Sequence, residues 1–304
     1  MVGTLSLPVD GSIYADTIFS RCRDLIAYQI WSGLQRSRLD TWIANFRSDE
    51  ERYFAARVLD ALIYRSDDQT ISLLRQLLCR VVPDHSRIHG LPNSLRQVYT
   101  ALRDPNVDPR VRVVPVIPPT AAPTKSGPVI ARHLKRTLKI SERWIIYPNQ
   151  VVGQLGSTDA IIFIDDFLGT GDQFSRFLAD TGLESYLSSS CFVYACLAGH
   201  EQGIGALKTL FPSLNIATVE CLDDSHAIFH ADAGSFPDGA NSIESARDFY
   251  YDLLADRGIN ISGPNRRGFG HLEIVYAFEH AVPDNSLPIL WWDESDQWQP
   301  LFDR

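Results

Sequence analysis

The sequence predicts an α/β protein, a mainly parallel sheet with flanking helices, carried behind an N-terminal α-helical unit. Three observations lead there. Up to about residue 100, apolar residues recur at helical spacing. From residue 110 onward they gather instead into short continuous runs separated by helical stretches. One of those runs, AIIFI at 160–164, ends in two adjacent aspartates and a loop holding two glycines. Continuous apolar runs suit strands buried on both faces, and strands that alternate with helices suit parallel pairing through crossovers.

In the helical part, Ser48 with Glu51 and Ser66 with Gln69 have the capping-box spacing, in which side chains at the two ends of a first turn satisfy free backbone amides. Behind the first box, Phe54, Val58, Leu59, Leu62 and Ile63 share one helical face. Behind the second, Ile71, Leu74, Leu77, Leu78 and Val81 do the same. One or two further helices are expected between Ile13 and Phe46, and PDHSRIHGLPNS reads as a break. The expected strands are VRVVPVI at 111–117, WIIYP at 144–148, AIIFI at 160–164, CFVYACLA at 191–198, NIATVE at 215–220 and HLEIVYAFEH at 271–280. Pro128–Leu138 and Phe174–Leu187 are expected to be crossover helices. The boundary falls near residue 105, giving a helical unit over 1–105 and an α/β domain over 106–304.

Composition excludes some functions. A net charge of -9 disfavours a general nucleic-acid coat protein, whose binding depends on locally dominant Lys and Arg. The five cysteines are odd in number and lack zinc-ligand spacing, so reduced and mostly buried thiols are expected. The N-terminal stretch lacks the charged and apolar regions of a leader, and no apolar run approaches the ~18 residues of a membrane span. A cytoplasmic protein is expected.

Ligands of open α/β sheets bind beyond the carboxyl ends of the strands, where Asp165 and Asp166 fall if the strand stops at Ile164. In the loop that follows, Gly169 and Gly171 permit the backbone to bring its amides toward an anion at a helix N-terminus. Carboxylates beside a phosphate repel it unless they contact another part of the ligand. Vicinal ribose hydroxyls suit them, with Mg²⁺ to offset the charge. The expected ligand is a ribose 5-phosphate, with the phosphate on Gly169, Thr170, Gly171, Asp172 and Gln173. This reading requires both carboxylates to reach solvent at the strand's end; burying them would contradict it. A nucleotide-hydrolysing strand of similar shape is disfavoured because no G-x-x-x-x-G-K-[ST] loop is present.

The arrangement resembles the type I phosphoribosyltransferase family, whose fingerprint is an apolar strand, two acids, three variable residues, Thr-Gly, one variable residue and Thr or Ser. Here Asp165, Asp166, Thr170 and Gly171 stand in register, and Gln173 takes the place of the final hydroxyl. The longer strings FIDDFLGTGDQF and GFGHLEIVYAFEHAVPDNSLPILWW resemble, over residues 110–292, the phosphoribosyltransferase-like conflict effectors of bacterial defence operons, some linked to retron reverse transcriptases. The resemblance implies phosphoribosyl pyrophosphate or a nucleotide as ligand, Mg²⁺ as cofactor, and chemistry at ribose C1 with Asp165 and Asp166 as catalytic and Mg²⁺-associated residues. It implies an antiviral effector whose partners include a reverse transcriptase with its non-coding DNA, or a second copy of the chain. Lys125, Ser126 and Gly127, after an earlier strand, are the expected pyrophosphate loop. A non-catalytic ribose-phosphate sensor and a housekeeping salvage transferase are the alternatives.

Other features stand out along the chain. Arg132, Lys135, Arg136 and Lys139 give one helix a basic face opposite the apolar stripe Ile130, Leu134 and Leu138, open to solvent or to an acidic partner. The acid-rich C-terminal tail is a candidate to neutralise that face. Arg266 and Arg267 form a second basic turn. His226 and His230 lack the glutamate of a zinc helix, and Gly203-Ile204-Gly205 reads as a turn.

Overall fold

A computed structural model describes residues 5–117, 126–237, 239–261 and 263–303. In chain order the elements are α1 (Gly11–Ala27), α2 (Arg36–Ile43), α3 (Asp49–Asp60), β1 (Ile63–Arg65), α4 (Asp67–Gln76), a π-helical turn (Leu77–Val81), α5 (Val82–Ile88), α6 (Val98–Arg103) and β2 (Val111–Pro115). Next come α7 (Ser126–Arg136), β3 (Ala160–Leu168), α8 (Asp172–Asp180), β4 (Phe192–His200), α9 (Glu201–Leu210), β5 (Asn215–Leu222), α10 (Ile243–Asp256) and β6 (Tyr276–Phe278). It is a mixed α/β architecture with parallel sheets flanked by helices, as the sequence indicates.

The contacts gather the chain into two compact units, residues 68–222 and residues 1–67 with 223–304. The boundary expected near residue 105 differs from both dividing points. Two things draw the division elsewhere. The π-helical turn at Leu77–Val81 packs on β4 and β5, which attaches the helices after residue 68 to the main sheet. In addition, β1 pairs in parallel with β6, Ile63 opposite Tyr276, which gathers the C-terminal segment onto the first three helices.

The unit over 68–222 is a four-stranded sheet in the order β2-β3-β4-β5, parallel throughout. Its interior strands β3 and β4 are buried almost end to end, which accounts for their unbroken apolar sequence. Side chains alternate across a strand, so Ile161 and Phe163 share one face of β3. There they pack with Phe174, Phe177 and Leu178 of α8 and with Phe192 and Tyr194 of β4. Ile130, Leu134 and Leu138 of the α7 segment are fully buried, while Arg132, Lys135, Arg136 and Lys139 are exposed; Lys135 pairs with Glu142. The unit carries 15 Lys and Arg against 13 Asp and Glu, so the acidic excess of the chain lies wholly in the other unit.

Several expected elements are corrected. The break expected over PDHSRIHGLPNS begins as helix, since α5 runs to Ile88, and the crossover helix expected over Phe174–Leu187 stops at Asp180. WIIYP contributes one bridge, Ile145 to Val113, because short 3-10 turns at Glu142–Trp144 and Pro148–Gln150 hold the chain on either side. Leu62 and Ile63 do not extend the α3 helix. It ends at Asp60, and the backbone of Ile63 donates instead to the Val275 carbonyl. HLEIVYAFEH forms a strand over Tyr276–Phe278, with single bridges from Ile274 to Ala227 and Ser286, and its first part is irregular because Gly270, His271 and Glu273 all take positive φ.

The other unit is built around a core from α1, α2, α3, α10 and the C-terminal segment. Ser48 caps α3 by accepting from the Glu51 amide, as its spacing predicts. The Glu51 carboxylate departs from the capping-box pattern, accepting from the Arg47 amide and pairing with Arg257 of α10. The tail is part of this core and not a loose acidic arm. Trp298 and Leu301 are buried, Trp42 and Trp298 both donate to the Ile289 carbonyl, and Asp303 pairs with Arg38. Among the described residues no helix is long and apolar enough to cross a membrane.

Candidate functional site

The site is built on β3 and the loop after it. The strand does not stop at Ile164 but runs in register with β4 to Leu168, opposite Gly199. Both aspartates therefore lie inside a ladder and not beyond its end. Asp165 is 2% exposed and Asp166 8%, so the expectation that both carboxylates reach solvent at the strand's end is overturned, and with it a ribose diol held by both acids; what remains for a phosphorylated ligand is the glycine turn after the strand. The reason is register: β4 extends as far as β3 does, and pairing continues past the acids.

Asp165 follows Phe163 on the face covered by α8. Its Oδ2 accepts from the Tyr194 hydroxyl at 3.0 Å, and its Oδ1 accepts from the backbone N–H of Asp166 at 3.0 Å. The Phe174 ring of α8 stacks on the Tyr194 ring with centroids 3.9 Å apart. Burial first, and the neighbouring Asp166 carboxylate second, push the Asp165 carboxyl well above the usual carboxylate range. Burial likewise raises Tyr194 well above its ordinary value and the adjacent Cys196 thiol to about 12. Asp166 Oδ1 accepts from the Phe167 amide at 2.9 Å, and the Asp166 side chain is hydrogen-bonded to that of Asp165.

The glycine turn has the form that the sequence predicts. Gly171 caps α8 with φ 91, a conformation in which a side chain is strained, and so offers no side chain of its own to the first-turn amides. Thr170 Oγ1 lies 3.4 Å from the Asp172 amide. Asp172 and Gln173 are exposed in the first helical turn, and Gly169 and Thr170 are partly exposed. The loop rests on α9. A Cβ at Gly203 would lie 2.1 Å from the Gly169 carbonyl oxygen and 3.1 Å from the Gly171 amide nitrogen, so only glycine lets α9 approach so closely. The segment Gly203-Ile204-Gly205, expected to be a turn, lies within α9, and its first glycine supports the loop.

Sequence reasoning did not identify Tyr194 and His200. Tyr194 sits opposite Phe163 in the ladder, a relation that only the pairing register discloses. His200 ends β4 beside the start of the glycine turn, is 4% exposed, and accepts the Gln202 amide on Nδ1 to cap α9. Its neutral ring therefore carries its proton on Nε2. A polar residue between an apolar run and a helix was the available signal.

Other candidates fall elsewhere. Lys125 lies outside the described residues. Ser126 and Gly127 form the first turn of α7 and not a loop, and Gly127 packs against Val116 and Ile117. Arg267 pairs with the buried Glu273 and Arg266 lies over the Tyr251 ring, so both are engaged within their own unit. His226 bonds to Asp223, and His230 lies near Asp224 and Asp232. Among the described residues no group of three His, Cys, Asp or Glu could hold a metal ion. Mg²⁺ would thus rely on ligand oxygens with at most one or two protein carboxylates, a common mode for that ion.

One acidic residue lies where a phosphate would arrive. Asp172 occupies the first turn of α8, and a unit charge about 6 Å away in a watery setting opposes an anion by ~0.7 kcal/mol. Asp172→Asn is expected to tighten ribose 5-phosphate binding about threefold, as read by calorimetric titration. The same change should weaken the helix by a few tenths of a kcal/mol through loss of the favourable carboxylate at a helix N-terminus.

A parallel sheet with an acid pair and a glycine turn on an interior strand is in keeping with the phosphoribosyltransferase-like class, and the family comparison shows it. The PRTase-CE family profile matches residues 39–304, and the chain belongs to that family. The match takes in most of the N-terminal helices, well beyond the 110–292 span of the sequence resemblance. No curated protein matches the chain.

Proposed function

We propose that this protein binds phosphoribosyl pyrophosphate or a nucleotide at the end of β3 and acts at ribose C1, as an effector of a bacterial anti-phage defence system. The observation that carries the reading is the glycine start of α8. A left-handed glycine opens the helix beside an acid pair, Thr170 accepts weakly from the first helical amide, and a glycine of α9 supports the loop. Amides at such a helix start suit the 5-phosphate, with the Gln173 side-chain amide in place of the family's hydroxyl. The unit that holds this loop has no acidic excess, which favours a phosphorylated ligand there.

In the chemistry, the bond from C1 to the leaving group breaks and its electron pair departs with the pyrophosphate or base. An incoming nucleophile then bonds to C1 and releases its proton. The sugar passes through an oxocarbenium-like state, which nearby carboxylate charge stabilises. Gly169–Gln173 hold the phosphate. Mg²⁺, when bound, would offset charge on the departing pyrophosphate through ligand oxygens. Lys125, Ser126 and Gly127 remain the proposed pyrophosphate segment. The reaction class is glycosyl transfer, or N-glycosidic hydrolysis if water is the acceptor.

The test is incubation of the full chain with phosphoribosyl pyrophosphate, Mg²⁺ and a panel of bases and nucleotides, together with metabolite profiles of cells expressing wild type or Asp166→Asn. Ribosyl transfer or base release that depends on Asp166 is expected. A wild-type profile indistinguishable from that of the variant, with no product in vitro, would leave only the sensor reading.

A further inference from the structure

The basic face of α7 takes no part in the chemistry above. Residues 96–150 carry ten Lys and Arg against three Asp and Glu, although the chain as a whole is acidic. Six of those cations, Arg103, Arg132, Lys135, Arg136, Lys139 and Arg143, are exposed. The ends of α6 and α7 meet: the Ser141 amide donates to the Leu102 carbonyl at 2.9 Å, and the Tyr99 hydroxyl donates to the Leu138 carbonyl at 3.4 Å. The Arg143 guanidinium donates to the Pro105 carbonyl at 2.6 Å, so Arg103, Lys139 and Arg143 gather there and α7 continues the row. Lys135 pairs with Glu142, and among the described residues no carboxylate pairs with the other five. Lys139 adds an independent observation. It follows the helix with φ 60, the left-handed region that favours glycine, and the Ile140 amide closes the turn on the Leu134 carbonyl at 2.9 Å. A strained lysine where glycine would be at ease, with its charge in solvent, points to a use for that charge.

The face offers charge and donors but no apolar centre. Ile130, Leu134 and Leu138 are buried beneath it, and no large apolar side chain among the described residues of α7 is exposed. A membrane surface or the middle of a protein–protein interface would need one. Four of the six cations are arginines, suited to bidentate contact with phosphate. Two of these lie over aromatic rings, Arg103 over Tyr99 at 5.4 Å and Arg143 over Trp144 at 6.0 Å. Along α7 the cations recur about every 5–6 Å, in one row, which fits one strand and not the two phosphate rows of a duplex. We propose that the joined ends of α6 and α7 bind single-stranded nucleic acid through its phosphates, with the half-buried Tyr99 beside the row as a surface on which a base stacks. The proposal goes beyond the reading of the glycine turn and does not depend on it.

The experiment follows a fluorescent single-stranded oligodeoxynucleotide by anisotropy as the full chain is added, from ~50 to ~200 mM salt. Duplex DNA, polyglutamate and phosphatidylserine vesicles are parallel arms. Wild type is expected to bind the single strand best, with a log–log salt slope of about −3 to −4, because each of about five phosphate contacts contributes ~0.7. Arg132→Gln combined with Arg136→Gln should make that slope shallower by ~1.4. Lys139→Gly separates binding from folding. It relieves the left-handed backbone, so its urea midpoint should be no lower than that of wild type. Its slope should still be shallower by ~0.7 and its affinity about fivefold weaker at ~0.1 M salt. No binding of the single strand at ~50 mM salt would overturn the proposal. So would slopes unchanged in both variants, or a preference for duplex, polyglutamate or vesicles over the single strand.

Discussion

Replacing Gly203 by alanine is expected to displace the glycine turn and to reduce ribose 5-phosphate affinity by at least ~tenfold, since misplacement by about 1 Å can cost up to a hundredfold in a positioned site. The added Cβ would meet the Gly169 carbonyl oxygen at 2.1 Å and its carbon at 2.9 Å, and backbone atoms cannot swing aside as the end of a side chain can. Relief comes only by moving the loop or α9, at a stability cost of ~1–3 kcal/mol. Gly205 is the control. It lies on the same helix with nothing within 4 Å of its would-be Cβ, so Gly205→Ala should stabilise the protein by ~0.5–1 kcal/mol and leave affinity unchanged. Urea unfolding and calorimetric titration of the two variants check both statements. If the two alanines behave alike, the close approach of α9 does not hold the loop.

The largest effect on stability is expected at Arg257. Its side chain is 1% exposed and paired with Glu51, itself 8% exposed, and it also donates to the Asn45 carbonyl at 3.0 Å. Arg257→Met would strand the glutamate charge in the core, and breaking a buried pair from one side costs ~3–5 kcal/mol. Arg257→Met combined with Glu51→Leu should recover much of that loss, because the penalty comes mostly from the unpaired charge. Urea midpoints of wild type, the single variant and the double variant measure it. A double variant no more stable than the single one would mean that Glu51 and Arg257 do not act as a pair.

Much of the fold was legible because it depends on local pattern. The runs at 111, 160, 191 and 215 form β2, β3, β4 and β5, since a strand buried on both faces must be apolar throughout. What the sequence obscured depends on partners distant along the chain. Ile63 continues a helical pattern, yet it pairs with Tyr276 more than two hundred residues later, and no local signal reports that. The same distant pairing carries the C-terminal segment away from the sheet to which its order assigned it.

The candidate site was legible to a similar degree, and for a similar reason. The glycines and their turn were readable because the left-handed cap at Gly171 is a requirement of the local backbone. The burial of Asp165 and Asp166 was not, because it depends on how far β4 runs beside β3 and on the cover that α8 provides. Tyr194 and Gly203 come from other elements and enter the site only through register and close packing.

The most direct test of the central claim is a calorimetric titration of the full chain with ribose 5-phosphate, set beside inorganic phosphate and ribose, in wild type and in Gly203→Ala. One-site binding of ribose 5-phosphate, tighter than either fragment and at least ~tenfold weaker in the variant, is the outcome this account predicts. Affinity no greater than that for inorganic phosphate, or equal in the two proteins, would contradict it.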